Sequence, residues 1–339
     1  MKTFHSEMDP KASVILSRIR QSADQDGFAL IPEGILKDRL RDADFQEFLR
    51  LIERMPADVY DQASTRKRLV TYAHFYKPSE LDASLIYFRK PGFDGEVGAD
   101  LFTYQLPAKF NQENSDTRKF APVPDAVLES PIFHFLIEAG FHTAPLQAEY
   151  RYSPLEVEVQ FIRYEPRRNV ASLGTPPTTH QDNDWAFCVF LLEWENVEGP
   201  ENAFVSLDYT NTKLGDVPDS HILKRTFLTG PLEGYCVADT KIAHYVGPVS
   251  LAKGSEYGRR TILILSYKPL IPLTPAAVQA AADARKFLEE NASEVSKSTE
   301  PPDSIALPEK DLHRNGATRG DEISQASDST KVIFHRRRF

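Results

Sequence analysis

His180 and Asp182, in the stretch THQDNDW at 179–185, stand two positions apart just ahead of the apolar run AFCVFLLEW. In an extended chain residues i and i+2 point to the same side, so both side chains can reach one ion. An imidazole and a carboxylate, joined by a second imidazole from elsewhere, form the face that holds iron(II) and leaves its other positions open. A short polar turn at the mouth of a strand would carry the same letters, and the spacing by itself does not separate the two readings.

The second imidazole is expected from His244, at the end of the strand-like run in VADTKIAHYVGPV, far enough along for the chain to return beside Asp182. A fourth residue belongs with these three. Arg260 opens GRRTILILSY, an otherwise apolar strand, where a guanidinium is costly unless it meets an anion. A dicarboxylate cosubstrate would supply that anion.

These segments, HQDNDWAFCVFLLEWENVEGPENAFVSL, GPLEGYCVADTKIAHYVGPV and GRRTILILSY, resemble the 2-oxoglutarate and Fe(II)-dependent dioxygenases, in particular the bacterial isoleucine 4-hydroxylase type of free amino-acid oxygenase. The likeness covers roughly residues 150–270, with a weaker echo at STRKRLVTYAHFY. It implies that His180, Asp182 and His244 are the catalytic metal ligands, and that Arg260 binds the 2-oxoglutarate cosubstrate. Fe(II) and O2 complete the cofactor set. The implied activity is C–H abstraction on a small aliphatic L-amino acid or derivative, with hydroxylation as the outcome. Oxidative cyclisation to an aziridine, as in fungal oxygenases of valine-like amino acids, or desaturation would use the same iron centre. Pro200, Lys241 and Thr261 depart from the family pattern, which has glycine, arginine and aspartate there; Pro200 and Thr261 are expected to alter the turn and strand edge near the pocket.

Four residues are candidates for substrate contact. Gln160 and Arg163 are polar positions in the strand-like run LEVEVQFIRYEP, and their spacing puts them on opposite faces, so one of the two faces inward. Arg163 would bind a substrate carboxylate or, failing that, lie in solvent on an edge strand. Asp184 would meet an ammonium group and Trp185 would wall the cavity, unless both merely cap the turn. Two other classes compete with this reading. A zinc hydrolase would use similar ligands but has no need of Arg260, and a β-helix binding module that had lost its chemistry should have lost a ligand as well.

The elements that must position these residues are mainly strands. A helical N-terminal part is expected over about 1–65, from DPKASVILSRIRQSA and DRLRDADFQEFLRLIERM, with GFALIP as a short strand between them. From RLVTYAHFYKP onward, β-branched and aromatic runs closed by proline or glycine indicate sheet, without helices long enough for βαβ crossovers. The expected fold is therefore mainly β with flanking α: a double-stranded β-helix (jelly roll, cupin-like) core over about 66–270 with N-terminal and C-terminal helices. Thr274 and Pro275 begin a helix at 275–290, which closes a single catalytic domain at 1–291. Residues 292–330 read as a flexible linker, and KVIFHRRRF at 331–339 as a segment that docks near the active site or trails as a basic tip.

The net charge of -9, from 49 acidic and 40 basic residues, offers no basic field for a nucleic acid or an anionic membrane. The expected partner is a small-molecule amino-acid substrate, and nothing points to a protein partner. Cys188 and Cys236 lie in apolar runs and read as reduced core residues. That sparse cysteine use, with no secretory or membrane-spanning stretch, makes cytoplasm the expected location.

Overall fold

The computed structural model describes residues 2–3, 10–79, 82–91, 101–104, 117–174, 176–182 and 184–270. All lie in the first of two units, Met1–Arg285, into which the chain divides. The expected helix at 275–290, the linker and the 331–339 segment fall outside the described residues.

Among the described residues fifteen strands and five α-helices follow one another in the order β1 (Lys2–Thr3), α1 (Pro10–Asp26), β2 (Phe28–Ile31), α2 (Asp42–Leu51), β3 (Arg66–Tyr76), β4 (Leu85–Phe88), β5 (Phe102–Tyr104) and β6 (Arg118–Phe120), then α3 (Asp125–Leu128), α4 (Pro131–Thr143) and α5 (Ala148–Arg151). The remaining strands are β7 (Leu155–Tyr164), β8 (Ala186–Glu195), β9 (Val197–Glu198), β10 (Asn202–Ser206), β11 (Ile222–Thr226), β12 (Gly234–Val237), β13 (Ile242–Val246), β14 (Ser250–Leu251) and β15 (Arg259–Pro269). The major sheet has eight strands in the order β1-β4-β3-β7-β15-β8-β12-β2, and β11-β10-β13 form a smaller sheet. All their named pairings are antiparallel. This is the expected jelly roll.

Side-chain alternation gives the major sheet two different faces. On one, Leu69, Phe161, Leu263 and Phe190 lie in register across β3, β7, β15 and β8 and join the larger core under the helices. On the other, Ile162, Ile262, Val189 and Tyr235 join Phe204 in a second core. The helix layer is set by sequence periodicity: Ala12, Leu16 and Ala23 in α1, and Phe45, Phe48 and Leu49 in α2, are buried at helical spacing.

The run of strands expected from residue 68 onward is interrupted by α4. Its sequence, PIFHFLIEAGFHT, starts with proline at the first helical position and is buried from Ile132 to Thr143 apart from Phe135. A helix apolar on all sides has no amphipathic period to read, so its aromatic content mimics a strand. Tyr267 of β15 donates to the Ile137 carbonyl at 2.6 Å and pins this helix to the sheet. Cys188 and Cys236 are direct cross-strand neighbours, both free and buried. Among the described residues no helix is long and apolar enough to cross a membrane.

Candidate active site: a His-Asp-His cluster beside an orphaned arginine

His180 and His244 meet by backbone pairing before their side chains are considered. An isolated antiparallel bridge joins them, with each amide donating to the other's carbonyl at 2.8 and 2.9 Å. His244 lies within β13 of the smaller sheet, and Asp182 lies in the link between His180 and the start of β8. The imidazole centroids stand 4.2 Å apart. Asp182 Oδ1 is 3.8 Å from His180 Nε2, and its Oδ2 is 3.4 Å from His244 Nε2. One ligand atom from each residue lies within 4.8 Å of the other two.

This donor set fits a small divalent metal. With bonds of about 2 Å, adjacent ligand atoms around an ion are about 3 Å apart, so the 3.4 and 3.8 Å contacts would shorten as an ion is bound. Two imidazoles and one carboxylate on one face are the set suited to non-haem iron(II).

Burial and pairing split the ionisation of the three groups. Burial, then the charge of His244, push His180 down to about 4, so it is neutral at pH 7. Burial would raise Asp182, but hydrogen bonding to His244 and the charges of both histidines and Arg68 outweigh it and bring the carboxyl down to about 2. Burial would lower His244, yet Asp182 and Asp239 hold it above its ordinary value.

Asp239, which sequence reasoning missed, ties the cluster together. It is buried, accepts the Asp184 amide at 3.1 Å and the Asp182 amide, and places Oδ1 3.8 Å from His244 Nδ1. Its own backbone carbonyl accepts from the Gln181 side chain. Burial and the Asp182 charge push its carboxyl up to about 7. The carboxylate in VADTKIAH, five residues ahead of a candidate ligand, was the available signal.

Arg260 is 1% exposed, yet its Nε and Nη1 have no hydrogen-bond partner among the described residues. Its guanidinium lies over the Tyr164 ring, 5.7 Å from the centroid, and burial pushes its pKa down. Tyr235, whose hydroxyl feels both Arg260 and Asp182, bridges this corner to the cluster electrostatically. An unpaired buried guanidinium costs several kcal/mol unless an anion completes it, and the dicarboxylate 2-oxoglutarate fits that demand.

A cavity of about 60 Å³ opens beside the cluster, lined among others by Arg68, Arg118, Gln160, His180, Asp182, Asp184 and Ser266. Gln160 and Asp184 are therefore among the residues that line the cavity. Gln160 donates to Glu158 at 2.6 Å.

Arg163 and Trp185 are not. Arg163 lies on the central strand β7, 1% exposed, on the face turned to the helices. It donates to Thr261 Oγ1 at 3.0 Å, to the Glu53 carbonyl at 2.8 Å and to Glu193 at 3.0 Å. Neither solvent nor the cavity receives it, because inward and outward positions alternate and Gln160 took the inward one. Thr261 belongs to the same ladder, so that departure from the family pattern points away from the cavity. Trp185 packs edge-on against Tyr150, ring centroids 4.5 Å apart, and borders the helix-side core. Lys241 donates to the Asp24 carbonyl.

Comparison with solved structures places this fold among known ones. IDO from Bacillus thuringiensis is 16% identical with a TM-score of 0.55, over 80% of this chain and 100% of that one. A bsmA homolog from Methylobium petroleophilum PM1 is 17% identical with a TM-score of 0.59, over 77% and 95%. The Fe(II)/(alpha)ketoglutarate-dependent dioxygenase TqaL is 13% identical with a TM-score of 0.58, over 79% and 92%. At such identities the likeness shows the fold alone. A comparison with curated proteins found no match.

Residues 50–266 match the 2OG-Fe dioxygenase family, and the chain belongs to it. The protein is thus a 2-oxoglutarate-dependent dioxygenase, an oxidoreductase that uses Fe(II), 2-oxoglutarate and O2.

Proposed function

We propose that this dioxygenase hydroxylates a small aliphatic L-amino acid or a derivative of one. The observation that carries the reading is a small cavity that touches His180 and Asp182 and has arginine and carboxyl groups in the same wall. A zwitterion needs both signs within a few ångströms, whereas an apolar substrate would leave both desolvated and unpaired. The volume fits the scale: about 60 Å³ corresponds to roughly four to six water positions.

In this reading His180, Asp182 and His244 hold the iron, and Arg260 receives the far carboxylate of 2-oxoglutarate in a paired contact supported by the Tyr164 ring. Bound iron with 2-oxoglutarate and O2 supplies the oxidising power for C–H cleavage. The chain's own part is placement. Asp239 holds the 182–184 link and faces His244, so the ligands keep one arrangement when substrate enters. Asp184, which Ser266 hydrogen-bonds, receives the substrate ammonium. The apolar walls Ile162 and Ile264 take the aliphatic side chain and keep bulk water out.

The test is succinate formation by iron-loaded protein with 2-oxoglutarate, O2 and each free amino acid in turn, with product masses read alongside. Substrate-stimulated succinate with a gain of about sixteen mass units is expected, that being one oxygen atom. A loss of about two would move the outcome to cyclisation or desaturation. Iron binding and normal turnover by Asp182→Ala would sink the ligand assignment.

A further inference from the structure

One buried cation in the cavity wall has no task in the reaction as described. Arg68, on β3, is 7% exposed and lines the cavity. Arg66, two residues back on the same face, takes the nearest carboxylate: its Nε donates to Asp58 Oδ2 at 2.7 Å, and its Nη1 to the Leu173 carbonyl at 2.6 Å. Arg68 Nε stands 3.5 Å from that same Asp58 oxygen and forms no hydrogen bond among the described residues. Two guanidiniums therefore share one carboxylate, and the surplus charge falls on Arg68. Burial and the neighbouring Arg66 push its pKa down, as expected of a cation short of compensation. Its flat face rests on the Phe120 ring, 4.9 Å from the centroid, which fixes the direction of the group without neutralising it.

The register of the sheet shows where this charge sits. On the inner face, Arg66, Tyr164 and Arg260 form one cross-strand row; Arg68, Ile162 and Ile262 form the next; Val70, Gln160 and Ile264 the third; Tyr72, Glu158 and Ser266 the fourth. Arg260 and Arg68 are thus in adjacent rows with β7 between them, about 12 Å apart at the backbone, from about 7 Å along the strands and about 10 Å across them. Carboxyl groups collect at the far row. Glu158 is buried there with Gln160 and Tyr72 as its hydrogen-bond partners, and Asp184 receives Ser266. The cavity is polarised along the strands.

We propose that Arg68 is the anchor for the substrate's carboxylate, and that the Arg68-to-Asp184 polarity reads an α-amino acid in a single orientation, its side chain laid along Ile162 and Ile264. This rests on the amino-acid reading above and goes beyond it by naming the residue that rejects substrates lacking a free carboxylate. Arg118 is the competing cation. It also lines the cavity, but it is only half-buried and its guanidinium rests on Tyr60, 5.2 Å from the ring centroid.

The experiment is anaerobic calorimetry on protein loaded with Fe(II) and 2-oxoglutarate, titrated with L-valine, L-isoleucine and the carboxamide of each. Wild-type protein should prefer a free acid over its carboxamide by roughly 10- to 100-fold, the worth of one charge-assisted contact. Arg68→Met should weaken the free acid by a similar factor and erase the preference, and Arg68→Lys should restore part of it. Arg118→Met should leave the preference in place. Wild-type protein that binds acid and carboxamide equally would overturn the proposal without any variant having to fold. So would a preference that survives Arg68→Met or disappears in Arg118→Met. If wild-type protein binds neither amino acid in either form, the amino-acid reading fails, and the anchor with it.

Discussion

Arg260 shows how a single side chain can state a requirement. Its guanidinium is buried with two nitrogens unpaired among the described residues, a cost that 2-oxoglutarate would offset on binding. Arg260→Met should therefore raise the 2-oxoglutarate concentration needed for half-maximal succinate formation by roughly 10- to 100-fold, from the loss of one charged contact. The folded protein should tolerate the change, because an unpaired charge is removed and no partner is orphaned. A second expectation at this scale concerns pH. His180 is pushed down to about 4 and is neutral near pH 7, whereas His244 is held above its ordinary value in the metal-free site. Metal must displace that proton, since only the neutral imidazole ligates. Apparent metal affinity should rise with pH until the His244 pKa is passed, then level off, by about tenfold per unit below it; titrations at several pH values measure this.

At the scale of elements, the candidate site is a junction of β13, the 178–184 link and β15. Asp239 couples the first two, by accepting amides of the link and by facing His244 across 3.8 Å. Asp239→Ala should lower metal affinity by about 10- to 100-fold, the usual cost of losing a group that orients a ligand. Asp239→Asn, which keeps a carbonyl oxygen for the amides, should recover part of the loss; equal metal affinity in all three proteins would remove Asp239 from the site. The α4 helix belongs to this scale too. Its uniform burial removed the helical period, and only its contact with β15 and the helix-side core defines it.

At the scale of the molecule, the jelly roll keeps chemistry on one face of the major sheet and stability on the other. Arg163 belongs to the second. It links the Glu53 carbonyl at the end of the helical layer to Thr261 on β15 and Glu193 on β8. Arg163→Met would remove the hydrogen bonds to Thr261, Glu193 and the Glu53 carbonyl while leaving Glu193 with Arg259 and Thr261, and should cost about 1–3 kcal/mol of stability, visible as a fall in melting temperature. The acid-over-carboxamide preference of the surviving folded protein should not change. The same substitution made one alternation away, at Arg68, is expected to do the reverse, and the contrast tests the division of the sheet into two faces.

The sequence by itself determined the chemistry that needs particular residue types. His180, Asp182, His244 and Arg260 could be singled out because metal and dicarboxylate recognition draw on few side chains, and strand alternation constrains their spacing; the structure brings the first three together. The jelly-roll class was legible for a related reason, since apolar runs closed by turn residues leave little room for crossover helices. What only the tertiary structure decided is which of several buried charges remain uncompensated. Arg66, Arg68 and Arg163 look alike along the chain. Their roles diverge because Arg66 hydrogen-bonds Asp58 and Arg163 hydrogen-bonds Glu193, whereas Arg68 has only a longer, shared ion pair with Asp58. Charge balance in a buried site is a sum over residues distant in sequence, and the sheet register sets which of them are summed.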